Sequence, residues 1–328
     1  MLKLFYALPF VLFLMTGCAT WKSPDDFKAT YMVIDISRTT SLTNYPVTYF
    51  ASAEAVPGGV TNDIYKTSKL ILRKIPAGTF TMGSPLTEFE RGSDESQHTV
   101  KLTKDFYIGV FEVTQRQWQL VAGYNLSYFN NTNYCQTRPV ERLGYGAIRG
   151  YPPHADWPSN NNVHGMCFMR YLRIRSGLSN LDLPTEAQWE YACRAGTTNA
   201  LNNGKDYLTE YSADMSAVGR YWFNGGSGYN FKHDCNPSVG TAKVGSYLPN
   251  AWGLYDMHGN VREWCLDWFG PYPEDARNPK GPWSGPGRVL RGGCWMYGTI
   301  SCRSGNRHWG LVSSRDPCNG FRIAMTLP

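Results

Sequence analysis

The chain has 328 residues, 42% of them hydrophobic and 14% aromatic, enough for one large core or two modest ones; with 18% charged residues it is not a disordered chain. Its 32 Lys+Arg against 26 Asp+Glu leave a formal charge of +6, scattered along the sequence. Without a basic stripe interleaved with exposed aromatics there is no nucleic-acid footprint, and no nucleic-acid partner is expected. The 33 Gly, 20 Pro, 11 Trp and 21 Tyr predict turns and irregular loops held by aromatic packing.

The first residues, MLKLFYALPFVLFLMTGCAT, read as a targeting segment. Lys3 gives a short basic start, and Leu4 to Met15 is an apolar run too short to span a bilayer comfortably. Met15-Thr16-Gly17-Cys18 is similar to a bacterial lipobox, so residues 1–17 are expected to be a lipoprotein signal peptide and Cys18 the lipidated residue. The alternative is an ordinary signal peptide cut near Ala19. Several acyl chains on Cys18 would anchor stably, since burial contributes about 0.8 kcal/mol per CH₂. The expected location is therefore the bacterial cell envelope, with the membrane reached through the lipid anchor.

Residues 18–28 read as a tether, and 29–67 as a short β-rich extension too small to hold its own core. Within it Tyr31 to Ile36 and Tyr45 to Phe50 are strand candidates, and Pro57 to Gly59 breaks the chain before a further strand at Lys69 to Ile75. Two helix starts carry capping boxes: Thr114 with Gln117, and Thr185 with Gln188. Gly123 and Gly196 sit where a left-handed residue ends each helix. Between them Cys167, Tyr171 and Ile174 fall at helical spacing before Gly177. Beyond Ala200 there is little periodicity, which predicts long packed loops and short strands.

After Cys18 eight cysteines remain, and an oxidising compartment favours some pairing. No C-x-x-C occurs, and the histidines at 98, 154, 164, 233, 258 and 308 are isolated, which argues against structural zinc or a three-histidine iron site. There is no G-x-S-x-G and no G-x-x-x-x-G-K, so nucleophile elbows and phosphate loops are unsupported.

Five blocks then occur in order: IPAGTFTMGS at 75–84, FEVT at 111–114, LPTEAQWEYA at 183–192, NAWGLYDMHGNVREW at 250–264, and RVLRGG at 288–293 followed by CRS at 302–304 and GFR at 320–322. On these the chain resembles the sulfatase-modifying-factor, or formylglycine-generating-enzyme-like, family over about residues 69 to 326. The resemblance implies an α+β class: a single irregular domain related to C-type lectins, low in regular secondary structure, over residues 68–328. It also implies an activity, oxidation of a sulfatase cysteine to formylglycine on copper(I) held by two cysteines, with exported sulfatases as partners. Soft thiolates select Cu(I), so two must converge on one ion.

Here the family's pattern is displaced. Gly292-Gly293 is followed by Cys294, where the family has a serine, and the next cysteine is Cys302. The asparagine expected in the pocket falls on Cys318, with Asn319 one place later. Cys294 and Cys302 are then either a displaced copper pair or one disulfide partner plus one buried thiol. The second reading is preferred, with a Cys265–Cys302 disulfide expected from blocks that pack together in the family fold. Asn260, the Val261 carbonyl and Glu263 match a calcium site of the family. They read equally well as a hydrogen-bonded turn in which Glu263 pairs with an arginine. The competing function is a lectin-like binding module for a partner protein or glycan, with Trp295, Tyr297, Asn306, Arg307, His308 and Trp309 on an exposed face. A structural part of an envelope assembly is the third.

Overall fold

Lys69–Ile75 is a strand whose alternate side chains go to opposite faces, and both faces are covered. Leu70 and Leu72 join one core, Ile71 another and Ile75 a third. In a computed structural model describing residues 29–37, 44–130, 133–151, 157–163, 165–226, 239–272 and 276–328, this strand (β3) lies inside a six-stranded sheet. The signal segment, Cys18 and the tether fall outside the described residues.

The strands before it are β1 (Tyr31–Asp35) and β2 (Val47–Phe50). Those after it are β4 (Gly78–Met82), β5 (His98–Leu102) and β6 (Phe106–Gly109). β1 runs antiparallel to β3 from Tyr31↔Arg73 to Asp35↔Lys69, and β2 lies on its far side. Residues 29–50 thus add two strands to a sheet whose remaining members come from later in the chain. Tyr107 fastens this start by donating from its hydroxyl to Ala29 O at 2.6 Å.

Helices α1 (Gln115–Ala122), α2 (Tyr145–Arg149) and α3 (Phe168–Ser176) follow, then β7 (Leu181–Asp182) and α4 (Glu186–Arg194). Both capping boxes are present. Thr114 Oγ1 accepts from Gln117 N at 3.2 Å, and Thr114 N donates to Gln117 Oε1 at 2.9 Å. Thr185 and Gln188 repeat this at 3.2 and 3.0 Å. Gly123 ends α1 at φ 88°, whereas α4 turns left-handed one residue early, at Ala195 (φ 46°), before Gly196 (φ 95°). In α3 the buried residues are Phe168, Met169 and Leu172; of the row 167, 171, 174, Cys167 is the buried N-cap, Tyr171 packs partly buried on the same core, and Ile174 is 63% exposed.

The remaining elements are α5 (Ala213–Val218), β8 (Gly219–Arg220), β9 (His258–Gly259), β10 (Arg262–Trp268), β11 (Arg288–Arg291), β12 (His308–Gly310), β13 (Asn319–Gly320) and β14 (Ala324–Thr326). Apart from β10, which is as long as β3, they are short, as the glycine-, asparagine- and proline-rich sequence predicts. The large sheet has the order β2-β1-β3-β6-β14-β7, and β12-β11-β10-β13 form a second sheet. Trp118, stacked on Phe168 with ring centres 5.1 Å apart, and Phe321 fill the core between them. No helix among the described residues is long and apolar enough to cross a membrane.

Candidate functional site

The second sheet carries several of the sequence's candidate residues, and buried arginines fix it in place. Arg322 grips Glu263 with Nε and Nη2, each at 2.6 Å, and Trp189 Nε1 donates to the same carboxylate at 2.8 Å. Arg303 binds Glu95 at 2.6 and 2.8 Å and Glu88 at 2.6 Å. Arg291 pairs with Glu190, whose other oxygen accepts from Arg194 Nε and Gly83 N, both at 2.8 Å. Such pairs, desolvated on both sides, are costly to break by removing one partner.

Glu263 is therefore in an arginine-paired turn. Asn260, left-handed at φ 58°, accepts from Ala242 N on Oδ1 at 2.8 Å and donates from Nδ2 to Glu112 at 2.6 Å. Glu112 also takes the Val261 N–H at 3.1 Å. Burial, reinforced by Asp256 and Glu263, pushes the Glu112 carboxyl well above its usual range. Burial likewise raises Asp256 to about 6. Calcium needs several oxygens turned to one point. Here the Asn260 and Glu263 side-chain oxygens already accept N–H donors. Among the described residues no three His, Cys, Asp or Glu side chains are grouped to hold a metal. The residues do not fit a calcium ion.

Gly292 and Gly293 bend the chain out of β11 with φ 95° and 69°. A Cβ on Gly293 would lie 2.5 Å from Cys302 Sγ, so only glycine lets the backbone pass that thiol. Directly after this turn Cys294 is bonded to Cys318, with Cα atoms 5.6 Å apart. The expected Cys265–Cys302 disulfide is corrected: both are free and buried, Cys265 in the core around Trp189 and Cys302 beside Met215 and Tyr221. The Cys302 thiol accepts from the Cys294 N–H, and burial pushes it up to about 12. Cys193 is likewise pushed up to about 12 by burial. Two thiolates are what copper(I) requires, and this loop offers one thiol, held neutral. The group does not fit here either.

His258, fully buried, gives Nδ1 to Cys302 O at 2.6 Å and takes Asn202 N on Nε2 at 3.0 Å. Burial lowers it to about 4, so it stays neutral and braces the loop. The proposed binding face is dispersed. Trp295 is buried edge-on to Phe129, with ring centres 5.0 Å apart, under the disulfide. Tyr297 is half-buried with the Arg262 guanidinium 5.1 Å from its ring centre. Arg307 is buried, bidentate on Glu186 at 2.7 and 2.9 Å and packed over Tyr272. Trp309, 38% exposed, leans on Phe269 elsewhere. His308 is exposed on β12, near the charges of Arg262 and Asp316, and Asn306 is half-buried.

What does surround the loop is an apolar rim that sequence reasoning missed. Thr299 Oγ1 donates to Glu210 O at 2.8 Å and Trp222 N to Tyr297 O at 3.0 Å. These bonds set Tyr211 (60% exposed) and Phe223 (42%) beside it, their ring centres 5.7 Å apart and their planes at 74°. Their segment has no periodicity to betray an exposed face.

Against known proteins, the model for a sulfatase-modifying factor enzyme 1-like domain matches residues 65–327. The chain belongs to the sulfatase-modifying factor family. It is 42% identical to the formylglycine-generating enzyme of Streptomyces coelicolor, the match covering 76% of this chain and 88% of that one. It is 32% identical to the chaperone protein LppX of Paenibacillus barcinonensis, over 67% and 81% of the two chains. Among solved structures, variable protein 1 of Treponema denticola matches with a TM-score of 0.60 and 27% identity, over 79% and 96%. A family member of this C-type-lectin-related fold can therefore carry an oxidase or something else, and the difference lies in the residues of the loop.

Proposed function

We propose that this chain keeps the family scaffold without its copper oxidase and works, anchored through Cys18 at the cell envelope, as a module that holds another exported protein. The observation that carries the reading is the Cys294–Cys318 bond, which leaves Cys302 as the sole thiol of the loop among the described residues. Linear two-thiolate ligation then has no second ligand. Beside the closed loop, Tyr211 and Phe223 present exposed rings, while Tyr297 is half-buried over the buried Arg262. Exposed aromatic rings are what anchors an apolar segment of a partner. The similarity to a protein named a chaperone supports a client that is another polypeptide.

Two measurements test this together. Copper-loaded protein incubated in air with a sulfatase-motif peptide should leave the peptide mass unchanged. Conversion to the aldehyde that disappears in Cys302→Ala would overturn the loss of oxidase chemistry. Denatured sulfatase diluted into the protein should aggregate less, and Tyr211→Ser with Phe223→Ser should remove that protection. Aggregation that is unaffected by the wild-type protein would overturn the holding role.

A further inference from the structure

Away from the C-terminal loop, the edge of the large sheet at β7 and β14 closes over a cavity of about 300 Å³. That is the lower end of the size range of small-molecule sites, about 300–1,000 Å³. It shares no residue with the Cys294–Cys318 cluster. Leu102, Leu183 and Leu266 make its floor, and Trp157 forms one wall. Trp157 is held in place by a bond from Nε1 to Lys280 O at 3.2 Å.

Charge sets the character of the opening. Lys104 and Lys280 line the cavity and are exposed, and the Lys280 ammonium stands 5.3 Å from the centre of the Trp157 ring. Asp182 is the acid among the lining residues, and it is buried and already doubly held. Arg149 Nε reaches it at 2.9 Å and Arg173 Nη2 at 2.7 Å. The wall is therefore net cationic after its internal pairs are made, with two ammonium groups at the rim and apolar side chains beneath them.

We propose that this cavity binds a small organic carboxylate, its apolar aliphatic or aromatic body on the leucine floor against Trp157 and its carboxylate between Lys104 and Lys280. Apolar burial in a site this size supplies affinity without orientation. The lysines supply the orientation, because a charge-assisted bond is favoured over a neutral one. A saccharide fits less well: the interior carboxamide of Gln188 is already bonded, donating to Thr326 Oγ1 at 2.8 Å and accepting from Thr185 N at 3.0 Å. The floor would then leave sugar hydroxyls unpaired.

The test uses the soluble protein, phenylacetate as probe, and phenylacetamide and glucuronate as its neutral and polar counterparts, by titration calorimetry. Phenylacetate should bind, and the amide should bind at least about tenfold more weakly, the loss of one charge-assisted bond. Lys280→Met should weaken phenylacetate by a similar factor, while Lys205→Met, an exposed lysine elsewhere, should not. Both are surface substitutions, and an unchanged thermal midpoint verifies that the fold is intact. Equal binding of acid and amide, tighter binding of glucuronate, no effect of Lys280→Met, or no phenylacetate binding at millimolar concentration would each overturn the proposal.

Discussion

Three arginines and three cysteines lie close together in the C-terminal blocks, yet they do different work. Arg291, Arg303 and Arg322 each close a buried carboxylate pair that ties the second sheet to Glu190, Glu95 or Glu263. Cys294, Cys302 and Cys318 sit three, one and four residues from them, and two are joined while the third is buried and neutral. The arginines belong to the frame and the cysteines to what the frame presents. A sequence can therefore match the family through its frame while the chemistry at the presented loop has changed.

Damage to the frame should be felt most strongly. Arg322→Met leaves Glu263 held by Trp189 alone, with Glu112 and Asp256 buried nearby, and should cost about 3–5 kcal/mol in urea unfolding. Wild-type stability in that variant would mean the buried pairs are not what holds the blocks. Next comes the disulfide. It closes a loop of 24 residues, so reduction should lower stability by about 3 kcal/mol. The double variant Cys294→Ala/Cys318→Ala should start lower and respond no further to reductant. Mass mapping of non-reduced peptides that finds Cys318 alkylated would reject the pairing.

Smaller effects sharpen the same division. Thr185→Ala removes the cap of α4 and should cost about 1 kcal/mol, with the two sheets otherwise unchanged. The last is a pH effect. Burial, then the Glu186 charge, raises Asp267 from 3.8 to about 7. A carboxyl with a raised folded-state pKa binds its proton better when folded. Its stabilisation is complete below the unfolded value and lost as pH rises through about 7. Asp267→Asn should therefore gain on wild type steadily between pH 4 and 7; parallel stability curves would show that Asp267 is not desolvated.

Much of the frame was readable in the sequence because its signals are local. β3 spans the predicted Lys69 to Ile75, and the Thr–Gln pairs begin α1 and α4 because a capping box needs only four residues. Of the two readings of Glu263, the arginine-paired turn is the one found, with Arg322 supplied 59 residues away. The disulfide was not readable as a partner choice, since chain distance says nothing of which thiols converge. One clue was there: Cys294 and Cys318 both replace polar residues of the family pocket, and two departures facing each other in one pocket are explained by a bond between them. The Tyr211–Phe223 rim carried no clue, because two rings in irregular loops meet through tertiary packing alone.

We propose that this loop has no two-thiolate copper site. A titration of the non-reduced protein with copper(I) against a competing chelator measures it directly. The chelator should keep the metal, and Cys302→Ser should make no difference. One copper retained per chain, and lost in Cys302→Ser, would contradict it.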